Sequence, residues 1–304
     1  MKIGVIGIGD IAQKGYLPIT TRLEDVELYL YTRNYARLLD TKKEYKSVNI
    51  VGSIDELIAS DIDGVMIHAA TEAHYDLCKI FLEKGVPVFV DKPVSIKFSE
   101  VEELYSIARQ KDVLFRVGFN RRFSLFVDKT KNVKPDVIIY QKNRFDWPGT
   151  IEDYIFIDFI HVVDTVRFYL EDKIEDIIVK GHYNESLMYS LSVSLHTKRQ
   201  VANLLMYRDS GKSEETIELF SKGVKYRITD LNSMVEHSNN TEVHHKLGDW
   251  IPILERRGFY GMIAEFISDL SASSKYMLKD DDSYETHLLC KNIYDIIMKK
   301  NRHL

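Results

Sequence analysis

A lysine near the middle of the first half of this sequence stands where it could exchange a proton with a small polar molecule. Lys92 belongs to the triplet Asp91-Lys92-Pro93, which directly follows the apolar run 86–90. If that run is a buried parallel strand, its carboxyl end opens on the crevice where such sheets bind ligands. A lysine there can hold a hydroxyl or carbonyl oxygen, and it can exchange a proton when partly desolvated. Lys92 is therefore a candidate catalytic residue, and the alternative is a solvated loop lysine.

Three polar residues interrupt the otherwise apolar segment 150–170, which predicts one long helix with Thr150 as its N-cap. Asp158, His161 and Asp164 recur at a spacing that places them along one side of such a helix. Burying this stripe without partners costs several kcal/mol, and a cleft facing a polar substrate removes that cost. His161 is thus the second catalytic candidate, with the two aspartates as substrate-binding candidates. Two alternatives stay open: a core histidine satisfied by an aspartate, and a metal site, although no metal is predicted.

A glycine-containing turn near the start of the chain has the spacing of a dinucleotide-binding fingerprint. The stretch Gly7-Ile8-Gly9-Asp10-Ile11-Ala12 follows the apolar run 2–6 and fits the pattern G-x-G-x-x-G/A. The first glycine permits the tight turn, the second lets the backbone approach a pyrophosphate, and the alanine lets the next helix pack on the sheet. The helix start offers free N–H groups to phosphates. The expected cofactor-binding residues in this turn are Gly7, Gly9, Asp10 and Ile11. The alternative is a glycine turn that binds no cofactor.

The end of the second predicted strand, 26–31, should carry the residue that reads the ribose, about 20 residues beyond the glycines. NAD-binding proteins usually have an acid there, whereas this sequence has Thr32-Arg33-Asn34. An arginine can pair with a 2′-phosphate through its planar fork. The sequence therefore favours NADP over NAD; the alternative is that Arg33 is solvated and NAD binds without the acid. His74 is a further candidate for a cofactor contact, and the alternative is a capping or packing role. The other expected cofactor-binding residues are Thr32, Ala69, Thr71, Asp91 and Lys92.

These candidates need a framework, and the pattern up to Gly118 supplies one. Six strand-sized apolar runs alternate with helical segments. Near-continuous apolar runs are typical of strands buried on both faces, and the alternation predicts a doubly wound parallel sheet. The predicted strands are 2–6, 26–31, 48–51, 64–68, 86–90 and 113–117. The predicted helices are 10–22 (which Pro18 should end or bend), 35–45, 54–59, 73–84 and 99–110.

The second half changes character. Strand-like runs follow one another without helices between them, and turn signals such as Ser210-Gly211 separate them, which predicts an antiparallel sheet. These runs are 175–183, 189–195, 200–207, 214–220 and 224–229, followed by closing helices at 259–270 and 284–300. The boundary falls at 118–123, where one of two adjacent arginines is expected to reach the crevice and the other to form an ion pair. Further substrate-binding candidates here are Asn120 and Arg122.

Composition excludes several classes of protein. The 304 residues suit two domains, and 45% hydrophobic with 29% charged residues excludes disordered and fibrous classes. A net charge of -5 gives no basic footprint for a nucleic acid. No apolar run approaches the roughly 20 residues that cross a bilayer, and early glycines argue against a signal peptide, so a cytoplasmic protein is expected. Cys78 and Cys290 are expected to be reduced core residues, which excludes a disulfide framework.

Together these motifs resemble those of the Gfo/Idh/MocA oxidoreductase family. The matches are the glycine turn, Asp91-Lys92-Pro93 where the family has Glu-Lys-Pro, and His161-x-x-Asp164 on a helix after the boundary. Segments 117–123, 158–165 and 254–259 look closer still to the MviM-like (virulence factor MviM) branch. The sequence departs from the family at Ile157, where an aspartate is more usual four residues before the histidine.

The resemblance implies an α/β protein with an N-terminal Rossmann domain over 1–119. It also implies a substrate-binding α/β domain over 120–304, with an open antiparallel sheet that often forms a dimer interface and a C-terminal helix able to pack back on the first domain. It further implies that Lys92 lies beside the nicotinamide and that His161 contacts a sugar-like or polyol substrate oxidised at a secondary hydroxyl. Hydride transfer with NAD(P) and a homo-oligomer are expected. Two alternatives stay open: a non-catalytic NAD(P)-binding sensor or regulator, and an NAD-assisted lyase or glycosidase without net redox.

Overall fold

The computed structural model describes residues 1–184, 187–272 and 281–301. Within them the chain forms two units, each with its own sheet. The first unit comprises Met1–Phe119 and Phe259–Tyr284, and the second comprises Asn120–Gly258 and the chain from Glu285 onward. The described residues 259–272 and 281–284 therefore group with the first unit.

The described residues of the first unit form a sheet of six parallel strands in the order β3-β2-β1-β4-β5-β6. The order reverses between β1 and β4, which makes this the topological switch point of a doubly wound sheet. The parallel sheet predicted from the alternating pattern is confirmed. The strands are β1 (Lys2–Ile6), β2 (Glu27–Tyr31), β3 (Asn49–Ile50), β4 (Gly64–Ile67), β5 (Val88–Asp91) and β6 (Phe115–Gly118).

Five α-helices alternate with these strands, close to the predicted positions. Side-chain caps fix two of their starts: Asn34 accepts a hydrogen bond from the Arg37 amide, and Ser53 accepts one from the Glu56 amide. The first helix differs from the prediction, because Ala12–Tyr16 forms a π-helix and the helix ends at Thr20, two residues past Pro18. The helices are α1 (Leu17–Thr20), α2 (Tyr35–Glu44), α3 (Ile54–Ala59), α4 (Thr71–Glu83) and α5 (Phe98–Lys111).

The described part of the second unit contains a nine-stranded sheet that is mostly antiparallel, as predicted. Its central strands β7 and β11 are the exception, because they pair in parallel. The sequence did not predict β7, β8, β14 or β15. The strands are β7 (Val137–Phe145), β8 (Gly149–Thr150), β9 (Ile174–Asn184), β10 (Leu187–Thr197), β11 (Val201–Ser210), β12 (Glu214–Ser221), β13 (Val224–Thr229), β14 (Ser233–Ser238) and β15 (Thr241–Lys246).

The helix predicted over 150–170 is present as one continuous helical stretch from 151 to 169, but it is not a regular α-helix throughout. Thr150 ends β8, although its hydroxyl oxygen accepts the expected capping hydrogen bond from the Asp153 amide at 3.1 Å. A π-helix then spans Asp153–Phe159, and an α-helix spans Ile160–Tyr169. A π-helix has more residues per turn than an α-helix, so the angle between residues three apart across this junction differs from that in a regular α-helix. Upstream lie a 3₁₀-helix at Asn120–Phe123 and α6 (Leu125–Lys129), and the α-helix at Ile160–Tyr169 is α7.

Three helices close the described chain: α8 (Ile253–Arg256), α9 (Phe259–Ser271) and α10 (Asp281–Asn301). The two predicted closing helices are thus confirmed as α9 and α10. Within the first unit, the Phe259 ring packs against Tyr16 and the Phe266 ring packs against Phe89. Among the described residues, no helix combines the length and the apolar character needed to span a bilayer.

Candidate active site

The carboxyl ends of β1, β2 and β4 border a cavity of about 440 Å³ in the first unit. Five of the predicted cofactor-binding residues line it: Gly7, Gly9, Thr32, Arg33 and Ala69. The other six predicted residues lie outside the lining: Asp10, Ile11, Thr71, His74, Asp91 and Lys92. Ligands of doubly wound sheets bind at this edge, next to the strand-order reversal.

The two glycines of the turn have different roles. Gly7 has φ +88°, and a Cβ atom there would lie 2.5 Å from the Ala69 backbone nitrogen. Any other residue at this position would push the turn after β1 away from the loop after β4. At Gly9, which lines the cavity, a Cβ atom would meet no atom within 4 Å, so there is open space beside the backbone. This space suits a pyrophosphate close to the backbone.

The helix that follows the turn is arranged to bind an anion. Its first hydrogen bond runs from the Gln13 amide to the Gly9 carbonyl oxygen at 3.0 Å. The amides of Asp10, Ile11 and Ala12 precede this bond, and such amides are free to bind phosphate oxygens. The glycine turn, the space beside Gly9 and these amides together fit the diphosphate of a nicotinamide dinucleotide.

Two arginines shortly after β2 line the cavity, and the sequence predicted one of them. Arg33 is exposed, and its side chain makes no hydrogen bond or ion pair with the described residues. Arg37, on the first turn of α2, also lines the cavity and donates to the Ile8 carbonyl oxygen at 3.1 Å. Its position four residues beyond Arg33 on a predicted helix was the signal that could have identified it. Two guanidinium groups at this position suit a phosphate better than an uncharged hydroxyl.

The residue before Lys92 is held on both of its carboxylate oxygens. Asp91 Oδ1 accepts a hydrogen bond from the Tyr16 hydroxyl, and Asp91 Oδ2 lies 3.2 Å from His68 Nδ1. The Tyr16 and His68 rings stack with centroids 3.7 Å apart. Burial and the adjacent Asp91 charge raise the pKa of the Tyr16 hydroxyl well above its ordinary value, so it stays a proton donor. Lys92 is half-buried directly after this anchored position, and its peptide bond to Pro93 is cis.

Sequence reasoning missed His68. Its side chain is fully buried, and its Nε2 atom has no hydrogen-bond partner among the described residues. His68 follows β4 directly, just as Lys92 follows β5. The rule that selected Lys92, that ligands bind beyond the carboxyl ends of parallel strands, therefore applies equally to His68.

His74 joins two loops of the first unit. Its Nδ1 lies 2.8 Å from the Pro93 carbonyl oxygen, and its Nε2 lies 2.9 Å from the Ala69 carbonyl oxygen. These contacts connect the loop after β4 to the loop after β5. His74 thus helps to position the cavity wall and the segment that carries Lys92.

In the second unit, the candidates near the boundary make internal contacts. Arg122 donates to Asp164 Oδ2 at 2.8 Å, and Arg121 forms a two-point ion pair with Glu215 at 2.8 and 2.9 Å. The sequence predicted one arginine in an ion pair, and the structure shows both. Asn120 is buried and donates to the Arg257 carbonyl oxygen at 2.8 Å.

Asp158 lies in a buried ion cluster. Lys142 and Arg144 donate to its carboxylate, the latter at 2.8 Å from each nitrogen, and Arg208 lies 3.4 Å away. Burial alone would raise the pKa of Asp158, but the Arg144 hydrogen bonds and the Lys142 charge hold it well below its usual range. The cost of burying Asp158 is therefore offset by cations of the same unit instead of by a substrate.

His161 is buried on α7, between the positions of Asp158 and Asp164. The two aspartates bind different cations, Asp158 at Lys142 and Arg144, and Asp164 at Arg122. Within the described residues, no group of three or more histidine, cysteine, aspartate or glutamate side chains is arranged to hold a metal ion.

The fold and the cavity define a Rossmann-type dinucleotide-binding protein, and comparisons with known proteins agree. Residues 1–119 match the family model described as an oxidoreductase family with an NAD-binding Rossmann fold. Residues 128–239 match the model of the YceM-like C-terminal domain.

Two crystal structures resemble the whole chain. A Gfo/Idh/MocA family oxidoreductase from Vibrio cholerae is 30% identical with a TM-score of 0.93, covering 99% of each chain. A dehydrogenase, MviM, from Clostridium difficile is 29% identical with a TM-score of 0.90, covering 97% of this chain and 99% of its own. The chain belongs to the Gfo/Idh/MocA oxidoreductase family. A partial relative is the myo-inositol 2-dehydrogenase of Thermotoga maritima, 28% identical over 203 residues, or 60% of this chain and 58% of that protein.

Proposed function

We propose that this protein is an NAD(P)-dependent dehydrogenase or reductase that transfers hydride between nicotinamide and a CH–OH carbon of a sugar-like polyol. The observation that carries the proposal is the cavity beside Gly9, with Lys92 at the carboxyl end of the same parallel sheet. Membership of the family supports the oxidoreductase class, and the myo-inositol 2-dehydrogenase relative supports a polyol substrate.

In this mechanism a bound nicotinamide supplies the hydride chemistry, and the chain supplies binding and proton transfer. Oxidation of a secondary alcohol releases the hydroxyl proton, and reduction of the ketone takes one up. Lys92 exchanges this proton, and Asp91, anchored by Tyr16 and His68, positions it. We assign His161 to substrate binding and proton exchange, with Asn120, Arg122, Asp158 and Asp164 as supporting residues.

The cofactor we propose is NADP. The end of β2 carries Arg33 and no acid, and Arg37 adds a second guanidinium to the same cavity. Their forked donors suit a 2′-phosphate. We also propose a homo-oligomer in the cytoplasm, where the free, buried cysteines Cys78 and Cys290 would stay reduced.

The test is turnover of polyols and their keto forms, followed by NADPH absorbance, in wild-type protein and Lys92→Ala. Loss of the proton-exchanging group should lower kcat by about 10²-fold or more while dinucleotide binding persists. Lys97→Ala is the matched control, because Lys97 lies five residues away and forms an exposed ion pair with Glu100 at 2.9 Å. A near-normal kcat in Lys92→Ala, with the control also normal, would remove Lys92 from the mechanism.

A further inference from the structure

The ion cluster around Asp158 holds more positive than negative charge. In the described part of the second unit, Asp158 contacts three cations, and Glu215 contacts Arg121 and the Tyr140 hydroxyl. The cluster thus pairs two carboxylates with four cationic side chains, which are Arg121, Lys142, Arg144 and Arg208. An excess of buried positive charge is costly unless an anion neutralises it.

Lys142 carries part of this cost. Its side chain is 2% exposed on β7, where it contacts Asp158. Burial, the Arg121 charge and, to a smaller extent, the Arg144 charge lower the pKa of the Lys142 ammonium group to about 7, against the opposing effects of Asp158 and Glu215. The two carboxylates therefore do not fully stabilise the charged lysine.

Arg208 has hydrogen-bonding capacity that the protein does not use. Its side chain is 4% exposed, and its Nε atom has no hydrogen-bond acceptor among the described residues. Its contacts to Asp158 and to the Asp153 carbonyl oxygen are both long, at 3.4 Å. At Gly149 a Cβ atom would lie 2.7 Å from Arg208 Nη1, so glycine leaves room for this guanidinium. Buried donors without acceptors are rare in proteins and call for an explanation.

The cluster reaches the surface at Arg144 and Trp147. Arg144 is 28% exposed, and the Trp147 side chain is 57% exposed. The guanidinium groups of Arg144 and Arg208 lie 5.3 and 5.7 Å from the centre of the Trp147 ring. An exposed aromatic ring beside cationic donors presents an apolar surface and charged hydrogen-bond donors together.

We propose that Arg144, Arg208 and Lys142 form a subsite for an oxyanion carried by the substrate, a phosphate or a carboxylate, with Trp147 against its sugar-like body. The subsite proposal rests on the proposed function in one respect, because it assumes that the ligand is the sugar-like substrate. Arginine forks bind such oxyanions through paired hydrogen bonds, and a bound anion neutralises the excess charge.

The first test is isothermal titration calorimetry of the full chain, without dinucleotide, using glucose 6-phosphate, glucuronate and uncharged glucose. One or both anionic sugars should bind, with glucose bound at least about tenfold more weakly, and the stronger of the two identifies the oxyanion. Arg144→Met, at the exposed edge of the cluster, should weaken the anion about tenfold or more. The control is Arg199→Met, an exposed arginine of the same unit paired with Asp172. Thermal unfolding checks that each variant is folded.

A second readout follows protons. An anion close to Lys142 should raise the pKa of its ammonium group, so binding at about pH 7.5 should take up protons. Titrations in two buffers of different ionisation enthalpy measure this uptake, which Lys142→Met should abolish. The charged and titratable groups that face Lys142 are Arg121, Tyr140, Arg144, Asp158, Arg208 and Glu215.

Equal binding of charged and uncharged sugars, or an anion affinity that Arg144→Met leaves unchanged, would overturn the subsite. Because no dinucleotide is present, the result separates the two proposals. Anion binding without any dinucleotide binding would refute the oxidoreductase and keep the subsite. Turnover of uncharged polyols at a rate that Arg144→Met and Trp147→Ala do not alter would support the oxidoreductase and refute the subsite.

Discussion

Asp91 is a carboxylate that is fixed before any ligand binds. Its two oxygens contact Tyr16 and His68, which come from the helix after β1 and from the end of β4. Lys92 therefore extends from an anchored strand end. The sequence predicted Lys92 because a charged residue directly after a buried strand stands out, whereas nothing in the sequence links Tyr16 to Asp91, 75 residues away. Lys142 could not be predicted as a buried lysine, since its burial depends on Asp158, sixteen residues away and on another element.

Arg33 carries the prediction about cofactor choice. Because it lies exposed in the cavity lining, Arg33→Ala should fold normally and lose a charge-assisted hydrogen bond to the 2′-phosphate. We expect NADPH to bind about tenfold more weakly and NADH to bind as before, measured by fluorescence titration. Equal weakening of both dinucleotides would refute the phosphate role. The control is Arg22→Ala, because Arg22 is not among the residues that line the cavity.

Lys142 carries a prediction about stability and pH. Its pKa is about 7 in the folded protein and 10.5 when solvated, so the unfolded state binds more protons between these values. The free energy of unfolding should therefore rise with pH from about 7 to 10.5, by at most about 1.4 kcal/mol per pH unit from this group. Denaturant melts of wild type and Lys142→Met, in buffers without oxyanions, measure the difference. Identical pH profiles would show that Lys142 titrates normally.

At the scale of elements, the hydrophobic period identified the strands and helices of the first unit because its sheet is covered by helices. The period did not identify β7, since charged residues such as Lys142 and Arg144 take inward positions on that strand. It also missed β14 and β15, whose sequences are polar. The π-helix at Asp153–Phe159 changes the angle between Asp158 and His161 from that of a regular α-helix. Three-residue spacing predicts a shared face only where the helix is regular.

At the scale of the whole molecule, one face of the sheet in the second unit carries exposed apolar side chains among polar ones. Residues on β9, β10 and β11 contribute to it, namely Ile178, Leu187, Leu205 and Tyr207. On β11 these exposed residues alternate with buried ones, so the surface is one face of the sheet. Apolar side chains exposed on a sheet face are available to a protein–protein interface.

We therefore expect a homodimer or larger homo-oligomer that depends on this surface. Leu205→Lys should shift the protein toward the monomer, because it places a charge in an apolar interface. Light scattering coupled to size-exclusion chromatography measures the mass. The control is Asn203→Lys, two residues earlier on the same face of β11. It adds the same charge at an exposed position without removing an apolar side chain. A wild-type monomer would contradict the expectation.

The central claim is that the turn around Gly9 holds the diphosphate of a nicotinamide dinucleotide. Calorimetric titration of Gly9→Ala with NADPH and NADH tests it, with Gly211→Ala as control, because a Cβ atom meets nothing within 4 Å at either position. Both variants should unfold at the wild-type temperature. Gly9→Ala should bind the preferred dinucleotide about tenfold or more weakly, while the control binds normally. Unchanged binding in Gly9→Ala, or no binding of either dinucleotide by folded wild type, would contradict the account.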